Sequence, residues 1–351
     1  MRSWLRRGPV AAVEPAAPPE PGRARGSVDH VVILDGTMSS LAEGMQSNAG
    51  RLFQLLREDG IHVHRRVYYE PGMQWEGWLK GLALIEGRGV NAQIRRAYGW
   101  LASQYREGDR IFLFGYSRGA YAVRSLAGVI DRIGLLKRDH ATERGVQLAW
   151  RHYERNPDSP TARAFARRFC HLETPIEVVG VWDTVKALGL RLPFFWMLSR
   201  EAHAFHNHHL GASIRHGFHA LALNETRLAF APVLWDCPPG WEGNIEQVWF
   251  RGAHGDIGGQ IGDFAAARPL ANIPLVWMLE RAEAVGLALP TGWHARFPCD
   301  PTAPMVGTWR SWGKAFLFRR PRVVGADRSE RLHSSVSQQL GARWLPGFPA
   351  E

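Results

Sequence analysis

The stretch Arg110-Ile-Phe-Leu-Phe-Gly-Tyr-Ser-Arg-Gly-Ala120 constrains the fold of this chain more than any other. The apolar residues Ile111 to Phe114 are too few for a helix and read as a strand buried on both faces. The strand runs straight into Gly115-Tyr116-Ser117-Arg118-Gly119, and Ala120 to Ile133 then carry helical spacing. A strand and a helix with no linker between them need a sharp reversal. A Gly-x-Ser-x-Gly turn supplies one, because Gly115 and Gly119 let the two elements approach closely and the serine between them projects its Oγ. The N–H after the serine, that of Arg118, faces the place where charge develops on a substrate oxygen. Ser117 is therefore a candidate nucleophile. The plainer readings are a structural βα turn or a phosphate loop at a helix N-terminus. Neither Gly-Lys-Ser/Thr nor Gly-x-Gly-x-x-Gly occurs here, which weighs against a nucleotide.

The same alternation of elements extends in both directions. Val31-Val-Ile-Leu34 reads as a buried strand stopped by Asp35-Gly36-Thr37. Leu41 to Asp59 has helical spacing at Leu52, Leu55 and Leu56 and a stop at Gly60; Ile61 to Tyr68 alternates like a strand. Pro71 to Val90 is glycine-rich and reads as a long loop, and Asn91 to Tyr105 as a helix. Ile176 to Trp182 and Ile245 to Phe250 are further strands, the first ending in Asp183-Thr184 and the second in Gly252-Ala-His-Gly-Asp-Ile-Gly-Gly259. Apolar strands alternating with helices imply an α/β fold: a mostly parallel sheet with helices on both faces. The expected organisation is a Pro/Ala/Arg-rich disordered arm over 1–26 and one domain over 27–351, with helical insertions or caps near 138–172 and 190–212.

A serine nucleophile needs a base, and the base needs an acid to orient it. In such a sheet these groups follow the carboxyl ends of strands, in chain order serine, acid, histidine. Asp183 and His254 occupy those positions. The bland alternatives are an aspartate holding a turn and a packed loop histidine. Asp256, two residues from His254, is better suited to bracing the glycine-rich loop. The early loop offers Gly36 or Thr37 as the second amide of an oxyanion hole beside Arg118, with Asp35 as support; the alternative is a plain turn in which Asp35 holds backbone amides. His333 is a rival base late in the chain. His203, His206, His208, His209, His216 and His219 form a dense cluster, but without carboxylates among them or a His-Glu-x-x-His pattern no metal is expected.

Composition narrows the rest. The chain has 351 residues, 45% hydrophobic, enough for one large domain. Cys170, Cys237 and Cys299 show no Cys-x-x-Cys spacing, so neither a zinc site nor a disulfide framework is implied, in keeping with a reducing compartment. No apolar run reaches the roughly 18 residues of a membrane span, and the N-terminus has no signal-peptide core; a cytoplasmic location is the default. The net charge of +10, with Arg2, Arg6, Arg7, Arg23 and Arg25 at one end and Lys314, Arg319, Arg320 and Arg322 near the other, reads either as solvated ends or as attraction to an anionic partner.

With these residues in place the chain resembles the α/β-hydrolases of the type VI secretion phospholipase effectors, first lipase-effector class, and their bacterial relatives. The resemblance rests on Leu34-Asp-Gly-Thr37, on Gly108 to Gly128 around Ser117, on Gly180-Val-Trp-Asp-Thr-Val185, on His219-Ala-Leu-Ala-Leu-Asn-Glu-Thr-Arg227 and on Val248 to Gly259, with His333-Ser-Ser-Val336 as an extension. It implies a Ser117–His254–Asp183 triad, an acyl-enzyme, phospholipid or other carboxyl-ester substrates, no cofactor, and export by a type VI system as an alternative location. A lipid or other ester substrate is the expected partner, with an anionic membrane surface as a further candidate; nucleic acid is not expected, and oligomeric state is left open. The chain departs from the family at Asn224, where an acid is usual, while keeping Glu225 and Arg227. It also holds no counterpart of the effectors' large C-terminal membrane-anchoring region, which weighs against a toxin role. The competing expectations are a non-catalytic hydrolase-fold module binding an anionic partner, and a hydrolase of another acyl compound such as a thioester or glycan ester.

Overall fold

Each strand of the sheet sends alternate side chains to opposite faces, and both faces are apolar. Val32, Leu34, Ile111, Leu113, Val179 and Val181 point into one buried cluster; Val31, Ile33, Phe112, Phe114, Val178 and Trp182 point into the other. Two apolar faces need two covering layers, and the chain supplies helices to both. The computed structural model describes residues 26–58, 64–72, 88–171, 173–185, 210–237, 244–310, 316 and 318–336. The strands are β1 (Asp29–Leu34), β2 (Arg65–Glu70), β3 (Arg110–Tyr116), β4 (Ile176–Trp182), β5 (Ile214–Ala222), β6 (Asn244–Phe250) and β7 (Glu330–Leu332). They form one sheet in the order β2-β1-β3-β4-β5-β6-β7, and every pairing is parallel. The architecture is α/β-hydrolase-like.

On one face lie α2 (Arg88–Gln104) and α3 (Arg118–Ile133), the latter burying Val123, Leu126 and Ile130. On the other lie α1 (Asn48–Glu58), with Leu52, Leu55 and Leu56, and α7 (Arg268–Ala284), with Leu275, Met278 and Leu279. The stretch expected as an insertion near 138–172 forms α4 (Glu143–Arg155) and α5 (Pro160–Phe169), capped by the Thr142 and Ser159 hydroxyls. Their Val146, Ala149, Trp150, Tyr153, Ala162 and Phe165 join the α2–α3 cluster, so this stretch thickens a helical layer. The second expected insertion, near 190–212, lies outside the described residues up to 209, as does nearly all of the N-terminal arm and the centre of the 71–90 loop.

The expected helix over 41–59 starts only at Asn48, and the expected strand from Ile61 is described from Arg65. Sequence reading missed β5 and α7. In Ile214-Arg-His-Gly-Phe-His-Ala-Leu-Ala222 the two histidines mask the strand pattern, yet it lies between β4 and β6.

The sheet order has a direct consequence for the site. The chain leaves β1 for β2 on one side and returns to β3 on the other, so the loops after β1 and β3 diverge and leave a crevice at their carboxyl ends. Parallel α/β sheets bind ligands at that switch point. It lies between Leu34 and Tyr116, where the chain places Asp35-Gly36-Thr37 and Ser117.

Candidate active site

Ser117 links β3 to α3 with φ 57° and ψ −119°, a conformation that a residue with a Cβ adopts only under constraint. Close packing supplies the constraint. A Cβ at Gly115 would collide with the Gly119 carbonyl and the Ala120 nitrogen, and one at Gly119 would collide with the Leu34 carbonyl of β1. The two glycines thus let β1, β3 and α3 converge backbone to backbone. The Ser117 N–H donates to the Trp182 carbonyl at 3.1 Å, and the Ser117 carbonyl accepts the Tyr121 N–H. The residue is 8% exposed.

The serine Oγ lies 2.9 Å from His254 Nε2, and His254 Nδ1 lies 2.6 Å from Asp183 Oδ2. Asp183 directly follows β4 with φ 42°, and His254 opens the short α6 (His254–Gly258) after β6. The histidine ring lies against Tyr116 and Phe230, with centroids 4.9 and 4.8 Å away. Its backbone N–H donates to Glu225 Oε2 at 3.2 Å, and Glu225 is ion-paired with Arg227 at 2.6 Å. Asp183 is completely buried. Burial alone would raise its pKa, but the Arg322 guanidinium and the hydrogen bond from His254 more than offset this and hold the carboxyl well below the usual range. Arg322 makes a two-pronged pair, Nη1 to Oδ1 at 2.5 Å and Nη2 to Oδ2 at 2.9 Å, and the Ala222 N–H adds a bond to Oδ1 at 3.0 Å.

The loop after β1 is organised by Asp35, which accepts Ser47 Oγ, Tyr69 OH at 2.8 Å and the Gly36 N–H at 2.7 Å. Burial raises its pKa, and those same donors work against the rise. The Gly36 amide is therefore spent within its own loop. Of the two amides expected from this loop at an oxyanion, that of Thr37 makes no such bond within it. Gly36 has a different task, since a Cβ there would run into the Tyr116 ring. Gln260 Nε2 donates to the Thr37 carbonyl at 3.1 Å and fixes the loop against the His254 segment. Among the described residues no hydrogen bond occupies the amides of Thr37 or Arg118. The Arg118 side chain is partly buried, and desolvation lowers its pKa.

The family model of the type VI secretion (T6SS) Tle1-like phospholipase effectors, catalytic domain, matches residues 29–281. The chain belongs to this family. The uncharacterized protein YEL023C of Saccharomyces cerevisiae is 27% identical over 237 residues, covering 58% of this chain and 33% of the yeast protein. An uncharacterized protein from Pseudomonas aeruginosa has a related structure, with TM-score 0.47, 16% identity, and coverage of 78% of this chain and 49% of the other. The Tle1 effector bound to the VgrG spike of the type 6 secretion system gives TM-score 0.41 and 21% identity over 70% of this chain and 54% of that one. The chain thus spans about a third to a half of the length of these relatives.

The Tle1-like match ends before Arg322, which sequence reading had grouped with the terminal charges. The guanidinium is instead buried, its side chain 5% exposed. Nothing in Phe318-Arg-Arg-Pro-Arg-Val323 separates this arginine from its neighbours before folding. Phe230 and Tyr116 were missed in the same way. The rival base His333 does not reach the serine: it follows β7, with three strands between that edge and β3. There it stacks on Phe250 at 4.6 Å and bonds Ser335 Oγ at 2.8 Å, and burial pushes its pKa down to about 4. Asp256 accepts the Ala253 N–H at 2.9 Å and the Val306 N–H at 2.7 Å, bracing the turn that carries His254. Of the histidine cluster, His203 to His209 lie outside the described residues. His216 faces Asn244, and His219 is buried with Nε2 accepting the Thr184 N–H at 3.3 Å. No metal-binding group of three His, Cys, Asp or Glu side chains occurs among the described residues.

Proposed function

We propose that this Tle1-like chain is a serine hydrolase of carboxyl esters, with phospholipids as its substrate class. The observation that carries the reading is the unbroken hydrogen-bonded line from Ser117 Oγ through His254 to Asp183, with the serine in its strained turn. His254 Nε2 takes the Ser117 proton as Oγ attacks the ester carbonyl. The resulting oxyanion is held by the amides of Thr37 and Arg118. As the tetrahedral species collapses, His254 gives that proton to the leaving alcohol, and Ser117 is left acylated. A water then enters, loses a proton to His254 and releases the acid, restoring the serine. Asp183 keeps the imidazole in the tautomer that presents Nε2 as acceptor. The reaction uses no cofactor.

A lipid source for the ester is supported by the rim of the site. Leu228 follows Arg227, which lies over the Phe230 ring at 4.0 Å, and its N–H donates to the Phe318 carbonyl at 3.0 Å. Phe318 is 60% and Trp309 61% exposed, and Arg319 lies over the Trp309 ring at 3.6 Å. Exposed aromatics mixed with arginines suit the boundary between anionic headgroups and acyl chains. The test is acid release from anionic and zwitterionic phospholipid vesicles and from soluble p-nitrophenyl esters, by the wild type and by Ser117→Ala. The wild type is expected to act on both classes of ester and faster on anionic vesicles, while Ser117→Ala loses on the order of 10⁶ in kcat. Equal rates for the two proteins would end the nucleophile assignment, and activity confined to soluble esters would end the lipid assignment.

A further inference from the structure

A buried aspartate that orients a catalytic histidine ordinarily keeps its full charge to stabilise the imidazolium. Here that charge is matched. Arg322 grips both Asp183 oxygens, at 2.5 and 2.9 Å, while Asp183 Oδ2 also holds His254 Nδ1. The guanidinium is itself tied down, Nη1 donating to the Ala222 carbonyl at 2.8 Å and Nη2 to the Phe230 carbonyl at 2.5 Å. One side chain thereby fixes the carboxylate, the end of β5 and the segment carrying the aromatic wall of the histidine. It comes from a part of the chain beyond the 29–281 family match.

We propose that Arg322 is a positioning residue of the site: its two-pronged grip locks the rotation of the Asp183 carboxylate, so that Oδ2 faces His254 Nδ1 and the ring presents Nε2 to Ser117. The proposal rests on the Ser117–His254–Asp183 reading given above. Asp183 and Arg322 form one neutral pair, and Glu225 and Arg227 form a second at 2.6 Å. Asp256, on the same helix turn, spends its oxygens on backbone N–H groups, and Tyr116 and Phe230 lie against the imidazole ring. Loss of Arg322 leaves the Asp183 carboxylate buried without its cation and free to turn away from Nδ1.

The experiment compares kcat and KM for the wild type, Arg322→Gln and Arg322→Lys, with active sites counted by fluorophosphonate labelling. Arg322→Gln, which removes the charge and one prong of the grip, is expected to lower kcat about a hundredfold with KM little changed. Arg322→Lys keeps the charge but cannot make the two-pronged contact. Its kcat is expected to fall about tenfold, between the other two, again with KM little changed. A wild-type kcat in either folded, labelled variant overturns the positioning role, as does a loss confined to KM. Should the glutamine variant fail to fold, the lysine kcat decides alone. A wild type that neither turns over esters nor takes the label would remove the nucleophile reading itself, a result separable from a labelled wild type with insensitive Arg322 variants.

Discussion

At the scale of single residues the site stores backbone strain. Ser117 holds φ 57°, and a non-glycine residue so placed costs on the order of 1–3 kcal/mol. Glycine escapes that cost, and alanine does not. Ser117→Gly and Ser117→Ala should both be inactive, but the glycine variant is expected to unfold at a temperature a few degrees higher than the alanine variant. Thermal unfolding of the two side by side would expose the idea as wrong if the alanine variant proved equally stable or more so. The meeting of Ser117, Asp183 and His254 was legible in the sequence because each follows an apolar strand, and a parallel sheet brings the carboxyl ends of its strands together whatever lies between them. Arg322 was not legible for the complementary reason. It lies in an irregular segment, and its burial follows from a charge 139 positions away in the chain.

At the scale of elements the decisive contact is the crossing of α3 over β1, where Gly119 lies against the Leu34 carbonyl. The obstacle to a side chain there is backbone on both elements, so no rotamer change relieves it. Gly119→Ala should force α3 off the sheet and cost at least the 1–3 kcal/mol of an overpacked core, with loss of activity as Ser117 moves with the helix. Chemical denaturation measures the first effect and ester turnover the second; a variant with wild-type midpoint and rate would show that the convergence is not tight. The strands that sequence reading found, around Val31, Phe112, Val178 and Val248, are apolar on both faces, which is the plainest strand signal a parallel sheet gives. β5 lacks it, because His216 and His219 interrupt the run. The reason His219 is there emerges only in the fold: its Nε2 accepts the amide of Thr184, the residue after Asp183, and so holds the turn that carries the acid.

At the scale of the whole molecule, that histidine links stability to pH. His219 is fully buried, and burial together with the nearby Arg124 charge depresses its pKa to about 3; His333, buried at the far edge, is depressed to about 4. In the unfolded chain both titrate near 6.5. Below that pH the unfolded state takes up protons that the folded state refuses, so stability is lost as pH falls from about 6.5 toward 4. The depressed carboxylates Asp183 and Glu225 add a loss only at lower pH, as the unfolded chain begins to protonate theirs. Asp35 and Asp256, with pKa values raised by burial, act in the opposite sense: ionisation destabilises the fold, and acid relieves it. Between pH 6.5 and 5 the histidines work against these two carboxyls, and a variant at one histidine isolates its share. His219→Gln keeps an acceptor for the Thr184 amide but cannot titrate. Its unfolding temperature is expected to fall less than that of the wild type between pH 7 and pH 5, by calorimetry or circular dichroism. Parallel curves for the two proteins would mean that His219 is protonated in the folded chain, and that the turn holding Asp183 tolerates a charge at its back.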